Sequence, residues 1–124
     1  MRAAAMGSEY SEALKHARAA LEIYTALEDR ENEIAFLTTV GNILDQLGEM
    51  SEGEGYHQRA LLLARSQGHP RGEASALEAF SSHYDMIGAL EQSADSAAEG
   101  ERIWQQLGNH DAASVMATDR KSVV

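Results

Sequence analysis

Apolar side chains recur every three or four residues along almost the whole chain. In the first such stretch, Tyr10, Leu14, Ala17 and Leu21 fall on one face of a helix, while charged residues fall mainly on the other. Strand signals are nearly absent, because Ala, Leu and Glu are abundant and proline occurs only at Pro70. The pattern therefore predicts an all-α chain. Its six predicted helices cover residues 8–29, 31–47, 50–68, 71–87, 90–107 and 110–122.

Glycines mark the predicted helix ends. Gly48, Gly68, Gly88 and Gly108 each follow an apolar-periodic stretch, where a helix favours a left-handed C-terminal cap, and Pro70 follows the second of them. The connections are short, and short connections place consecutive helices antiparallel. The sequence thus predicts a string of helical hairpins.

The chain also repeats itself with a period of 40 residues: residues 47–52 align with residues 87–92, and Ala20, Ala60 and Gly100 share one register. A fixed period of this size is typical of units that cannot bury their apolar face alone and stack on a neighbour. Such arrays usually bind other molecules, so the chain is predicted not to be an enzyme.

Small residues recur where the two helices of a hairpin would cross, as Gly41 and Gly53 in one copy and Ser81 and Ser93 in the next. Together with the turn formed by residues 48–50, they resemble the tetratricopeptide repeat, in an extended variant of about 40 residues found in many bacterial regulators. HEAT and armadillo repeats have a similar length and remain an alternative. The resemblance implies one domain over residues 1–124, a right-handed superhelical solenoid of antiparallel helical hairpins.

The same resemblance implies that the first helix of each hairpin lines a concave groove, which binds an extended or helical peptide of a partner protein. Chaperone-binding members of the family hold a carboxylate there with basic side chains. This chain has no basic side chain at the corresponding positions, so a neutral or basic peptide is expected. The implied peptide-binding residues are Thr38, Asn42, Asp45, Glu78, Ser82, Asp85 and Thr118. Asn42 is equally consistent with a solvated residue on a polar face.

Composition narrows the classes of partner. The chain has 20 acidic and 10 basic residues and a formal charge of −10, which disfavours nucleic acids and anionic membranes. It has no cysteine, which excludes disulfides and thiolate metal sites and fits a cytoplasmic protein. Its apolar runs are too short to span a bilayer. We expect a cytoplasmic protein with no nucleic-acid or membrane partner.

Candidate chemistry is sparse. None of the five histidines pairs at a helical spacing of four with another suitable ligand in a repeated way. His57 and His83 occupy helical repeat positions, and His69 and His110 are predicted to lie in turns. The glycines are isolated at helix ends and form no phosphate-binding loop. The sequence therefore predicts no metal, cofactor or catalytic residue. Trp104 fits either a core residue or an anchor for a partner.

These observations predict a protein-interaction module with a scaffold, adaptor or regulatory role in bacterial signalling. The alternative is a sensor segment of a larger bacterial signalling protein, fused to an output domain such as a nucleotide cyclase or a transcriptional activator. Both ends leave a hairpin unfinished. They predict either a fragment of a longer array or head-to-tail self-association.

Overall fold

The computed structural model describes the backbone of residues 2–123 and the side chains of residues 7–108. Every secondary-structure element in these residues is helical, which confirms the predicted all-α class. The helices are α1 (Arg2–Ala26), α2 (Arg30–Gln46), α3 (Met50–Ser66), α4 (Pro70–Met86) and α5 (Leu90–Val123).

Two predicted helices are one helix in the structure. The predicted break at Gly108 is wrong, since α5 runs through it, and α1 begins at Arg2 rather than at residue 8. Gly48, Gly68 and Gly88 take the predicted left-handed conformation, with φ of 83°, 60° and 80°. An isolated glycine costs a helix only about 1 kcal/mol relative to alanine. No proline after Gly108 forces the helix to end there, as Pro70 does after Gly68.

The four turns between helices share one hydrogen-bond pattern. In each, a backbone amide just past the helix donates to a carbonyl of its last turn, for example Glu49 to Leu44 at 2.8 Å and Ala89 to Tyr84 at 2.8 Å. The bond closes the helix end by satisfying a carbonyl that has no partner within the helix. The first turn differs because Glu28, not glycine, takes the left-handed conformation, with φ of 57°.

Each helix packs against the next along the chain, and α2 also packs against α4. Within residues 2–123, no helix is long and apolar enough to cross a membrane. The core joins α1 to α4 and consists of Ala17, Leu21, Leu37, Val40, Leu44, Ala60, Leu61, Ala76, Leu77 and Phe80.

Helices α2 and α3 cross closely at the predicted small residues. A Cβ atom placed on Gly41 would lie 2.7 Å from the ring of His57, and one placed on Gly53 would lie 3.1 Å from the carbonyl oxygen of Gly41 and collide with the carboxylate of Asp45. The contacts with the His57 ring and with the Asp45 carboxylate are too close for a Cβ atom, and the contact with the Gly41 carbonyl is tight. The two glycines therefore allow polar side chains to enter the space between the helices.

Candidate functional site

A groove runs between α2 and α4, the first helices of two successive hairpins. The main part has a volume of 510 Å³. It is lined by Thr38, Asn42, Asp45, Gln46, Ser75, Glu78, Ala79, Ser82 and Met86. A second part of 290 Å³ continues it past Thr38 and Ser75, which line both parts. The groove thus follows most of the length of the two helices, and they run in the same direction.

The second part lies towards the start of both helices and is lined by Glu31, Ile34, Ala35, Thr38, His69, Arg71, Gly72 and Ser75. Its charged side chains have both signs. The main part differs, because among the described residues its charged lining consists of the acidic Asp45 and Glu78, without lysine or arginine. A cationic group is therefore favoured there over an anionic one.

The structure brings five of the seven predicted peptide-binding residues to this groove, namely Thr38, Asn42, Asp45, Glu78 and Ser82. Asp45 differs from the rest, since it is only 3% exposed. Asp85 does not line the groove; it is exposed, and its Oδ1 accepts a hydrogen bond of 2.7 Å from Ser93. Thr118 lies outside the residues whose side chains are described.

Several groove side chains are free to bind. Asn42, Gln46, Ser75 and Ser82 make no side-chain hydrogen bond within the described part of the chain, while Thr38 donates to the carbonyl of Ile34 at 3.2 Å. An amide offers both a donor and an acceptor, which is what a peptide backbone requires.

Glu78 is held from the opposite side of α4. Trp104 of α5 donates its indole N–H to Glu78 Oε1 at 2.5 Å, and both residues line a further groove of 360 Å³ between α4 and α5. The side chain of Trp104 is half-buried. Trp104 thus positions an acidic residue of the interhelical surface as well as packing against the fold.

Behind the groove, three polar side chains meet in the interior. Asp45 Oδ2 lies 2.9 Å from His57 Nε2, and Asp45 Oδ1 lies 2.9 Å from His83 Nδ1. The side chains of Asp45, His57 and His83 are 3%, 0% and 1% exposed, respectively. An ionised carboxylate only accepts, so both ring nitrogens donate to it. We call these three residues the Asp–His–His cluster; they come from α2, α3 and α4, one from each helix.

The outer nitrogens of the two rings have different surroundings. His83 Nε2 lies 3.9 Å from Glu54 Oε2, an exposed carboxylate on α3. His57 Nδ1 is buried without a hydrogen-bond partner in the described residues. Burial lowers the pKa of His57, and the hydrogen bond from its ring to Asp45 offsets this only in part. His57 is therefore held as the neutral ring near neutral pH.

Apolar and aromatic groups close the cluster. The His57 ring lies 5.6 Å from the rings of both Phe80 and His83, and His83 lies 5.7 Å from Tyr84. An unpaired polar group in such surroundings costs stability, and each polar group here depends on its cluster partners. The cluster is a candidate for metal binding because its three ligand atoms lie within 4.8 Å of one another.

A larger groove of 920 Å³ lies between α1 and α3. Its lining includes the basic residues Lys15, Arg18 and Arg59 and the acidic Glu22, and Arg18 pairs with Glu52 at 2.5 Å. This groove has the opposite charge bias to the main part of the α2–α4 groove. It therefore provides an internal comparison for charge preference.

Comparison with models of known protein families finds no match to this chain, and comparison with curated proteins finds none either. Function is consequently inferred from the chain's own residues.

Sequence reasoning missed the Asp–His–His cluster because it searched for ligands spaced along single helices. The signal lies in the hairpin geometry instead. In an antiparallel pair whose turn is centred on Glu49, residues at equal distances on either side of the turn lie opposite each other, which places Gly41 near His57 and Asp45 near Gly53. A glycine facing a polar side chain in a predicted core marks a buried polar site.

Proposed function

We propose that the protein is an interaction module of the tetratricopeptide-repeat type, which binds a neutral or basic peptide or helix of a partner protein in the α2–α4 groove. The observation that carries the proposal is the convergence of Asn42, Glu78 and Ser82, chosen from the repeat register, on one continuous groove. The role is that of a scaffold, an adaptor or a regulatory segment.

The dimensions of the groove suit a short peptide. Helix α2 has 17 residues and α4 has 17 residues, so each is about 25 Å long at 1.5 Å per residue. An extended peptide covers this length with about seven residues. The available amides of Asn42 and Gln46 and the hydroxyls of Ser75 and Ser82 supply contacts for its backbone.

The charge of the groove determines which peptides it prefers. Glu78 is exposed, lines the main part of the groove and is oriented by Trp104. A lysine or arginine of the ligand gains from this carboxylate, whereas an acidic peptide is repelled by it and by the formal charge of −10. Exposed charges of this kind mainly affect the association rate and the choice of partner.

An immobilised array of random seven- to ten-residue peptides, sorted by net charge, tests this proposal. The purified chain is expected to capture neutral and basic peptides, and Asn42→Ala and Glu78→Gln are each expected to weaken capture by about tenfold, equivalent to about 1.4 kcal/mol. Gln58→Ala is the matched control, since Gln58 is exposed on α3 outside the grooves described.

Two results would contradict the proposal. One is capture that neither groove variant changes. The other is a preference for acidic peptides that Arg59→Ala abolishes, which would place binding in the α1–α3 groove. The alternative function, a segment that regulates a fused output domain, uses the same groove and is tested by joining the chain to its neighbouring sequence.

A further inference from the structure

We propose that the Asp–His–His cluster binds one divalent transition-metal ion, with Asp45, His57 and His83 as its protein ligands. Two imidazole nitrogens and one carboxylate oxygen form a donor set that suits Zn²⁺ and also Co²⁺, Ni²⁺ and Cu²⁺. Asp45 also lines the α2–α4 groove, but all three ligands are buried at the contact of three helices, so the site does not depend on peptide binding.

The geometry is close to that of a metal centre. The three ligand atoms lie within 4.8 Å of one another, and each histidine nitrogen lies 2.9 Å from an Asp45 oxygen. Ligand atoms around tetrahedral zinc lie about 3.4 Å apart when its bonds are about 2.1 Å long. Separating the Asp45 pairs by about 0.5 Å therefore makes room for the ion.

Histidine protonation fits the same arrangement. Each ring faces Asp45 with one nitrogen, and a metal ligand must present that nitrogen unprotonated. The ring proton then moves to the outer nitrogen, which is Nδ1 in His57 and Nε2 in His83. This shift of the ring proton from one nitrogen to the other releases no proton to solvent.

Glu54 supplies the outer partner that a metal-bound histidine usually has. Its Oε2 lies 3.9 Å from His83 Nε2, and its side chain is 52% exposed and thus free to move closer. Metal-binding histidines typically donate their second N–H to a carboxylate, which fixes the ring and strengthens the ligand. Within the described residues His57 Nδ1 lacks such a partner with or without the ion, so it does not favour either state.

The buried carboxylate of Asp45 favours the binding of a cation. The cluster buries the carboxylate of Asp45, whose charge is costly to remove from water, and replacing such a cluster with apolar residues is often neutral or stabilising. A divalent cation compensates that charge, and Glu54 offsets the excess positive charge that results. Since the ligands come from α2, α3 and α4, the ion would link the three helices around one centre.

The test uses the full chain without a histidine tag, after removal of metal with a chelator. Titration with Co²⁺, followed by displacement with Zn²⁺, is expected to show a visible d–d absorption that saturates at one ion per chain. His57→Gln, His83→Gln and Asp45→Asn are each expected to weaken binding by at least about 100-fold, and Glu54→Gln by about tenfold. His16→Gln is the matched control, because His16 is exposed and lies 4.0 Å from Glu12 at a helical spacing of four.

A measurement on the unaltered chain keeps the proposal testable if a variant fails to fold. Nitrogen-15 spectra of the histidine rings, recorded with and without Zn²⁺, are expected to change at His57 Nε2 and His83 Nδ1 but not at His16 or His69. The proposal is overturned if neither ion binds saturably, if Asp45→Asn binds as tightly as the unaltered chain, or if only His16 responds.

Discussion

Gly53 and Gly55 lie two residues apart in α3, yet alanine at these two positions is expected to change stability in opposite directions. Gly53 is buried at the crossing with α2, whereas Gly55 is exposed, and a Cβ atom placed on it would meet no heavy atom of the described neighbours within 4 Å. Both are helical, so the gain in helix propensity is shared. The difference between the variants therefore isolates the steric effect of the crossing.

The magnitude follows from three contributions. Alanine favours a helix over glycine by about 1 kcal/mol, so Gly55→Ala is expected to stabilise the protein by about 0.5–1 kcal/mol. At Gly53, the added methyl group meets Asp45 and the Gly41 backbone, and overpacking costs about 1–3 kcal/mol. Displacing Asp45 from its histidines costs a further ~1–3 kcal/mol. Gly53→Ala is thus expected to destabilise the protein by about 1–5 kcal/mol.

Urea unfolding followed by circular dichroism, with a chelator present throughout, measures both variants against the unaltered chain. The transition midpoint is expected to rise for Gly55→Ala and to fall for Gly53→Ala, with the slope of each transition unchanged. Equal stability of the two variants would refute the reasoning. In that case α2 and α3 would lie farther apart than the structure places them.

Three further predictions concern other parts of the fold. With a chelator present, the free energy of unfolding should fall as the pH drops through about 6.5, because the lowered pKa of His57 lets the unfolded chain take up a proton that the folded chain excludes. Urea unfolding at about pH 7.5 and about pH 5.5 measures this difference, and greater stability in acid would contradict the prediction. Trp104→Phe removes the hydrogen bond to Glu78 and should cost less than about 1 kcal/mol in thermal unfolding, since Glu78 is exposed; a loss above about 3 kcal/mol would instead mean that Trp104 is a core residue. Leu37→Ala should cost about 2–5 kcal/mol and Leu62→Ala under about 0.5 kcal/mol, because these side chains are 1% and 55% exposed; similar losses would contradict the assigned core.

The sequence predicted the helical class and three of the helix ends because these depend on local signals. Gly48, Gly68 and Gly88 supply left-handed caps, and apolar periodicity identifies the buried faces. Gly108 carries the same local signal, but there the helix continues. A single glycine fits both a helix cap and a helix interior, so the residues after it decide whether the helix ends. Only at Gly68, which Pro70 follows, did the sequence decide this.

The candidate groove was partly predictable for a similar reason. A repeat register fixes which helix face a residue occupies, so Asn42, Glu78 and Ser82 were placed on one surface from sequence alone. The register does not report how deeply a residue is buried. Asp45 belongs to the same face, yet it turns inward because Gly53 leaves space for its carboxylate and because His57 and His83 supply donors from two other helices.

The second copy of the repeat indicates why the histidines are present. Asp85 stands 40 residues after Asp45, but Ser93 replaces Gly53, and its hydroxyl donates to Asp85 at 2.7 Å. Asp85 is exposed and also reaches solvent, whereas Asp45 is 3% exposed and has His57 and His83 as its partners. The position 40 residues after His57 is alanine, whereas His83 itself lies on α4, in the second copy, two residues before Asp85. Gly53 and His57 are thus particular to the first copy, and they occur together with the burial of Asp45 between two histidines from neighbouring helices.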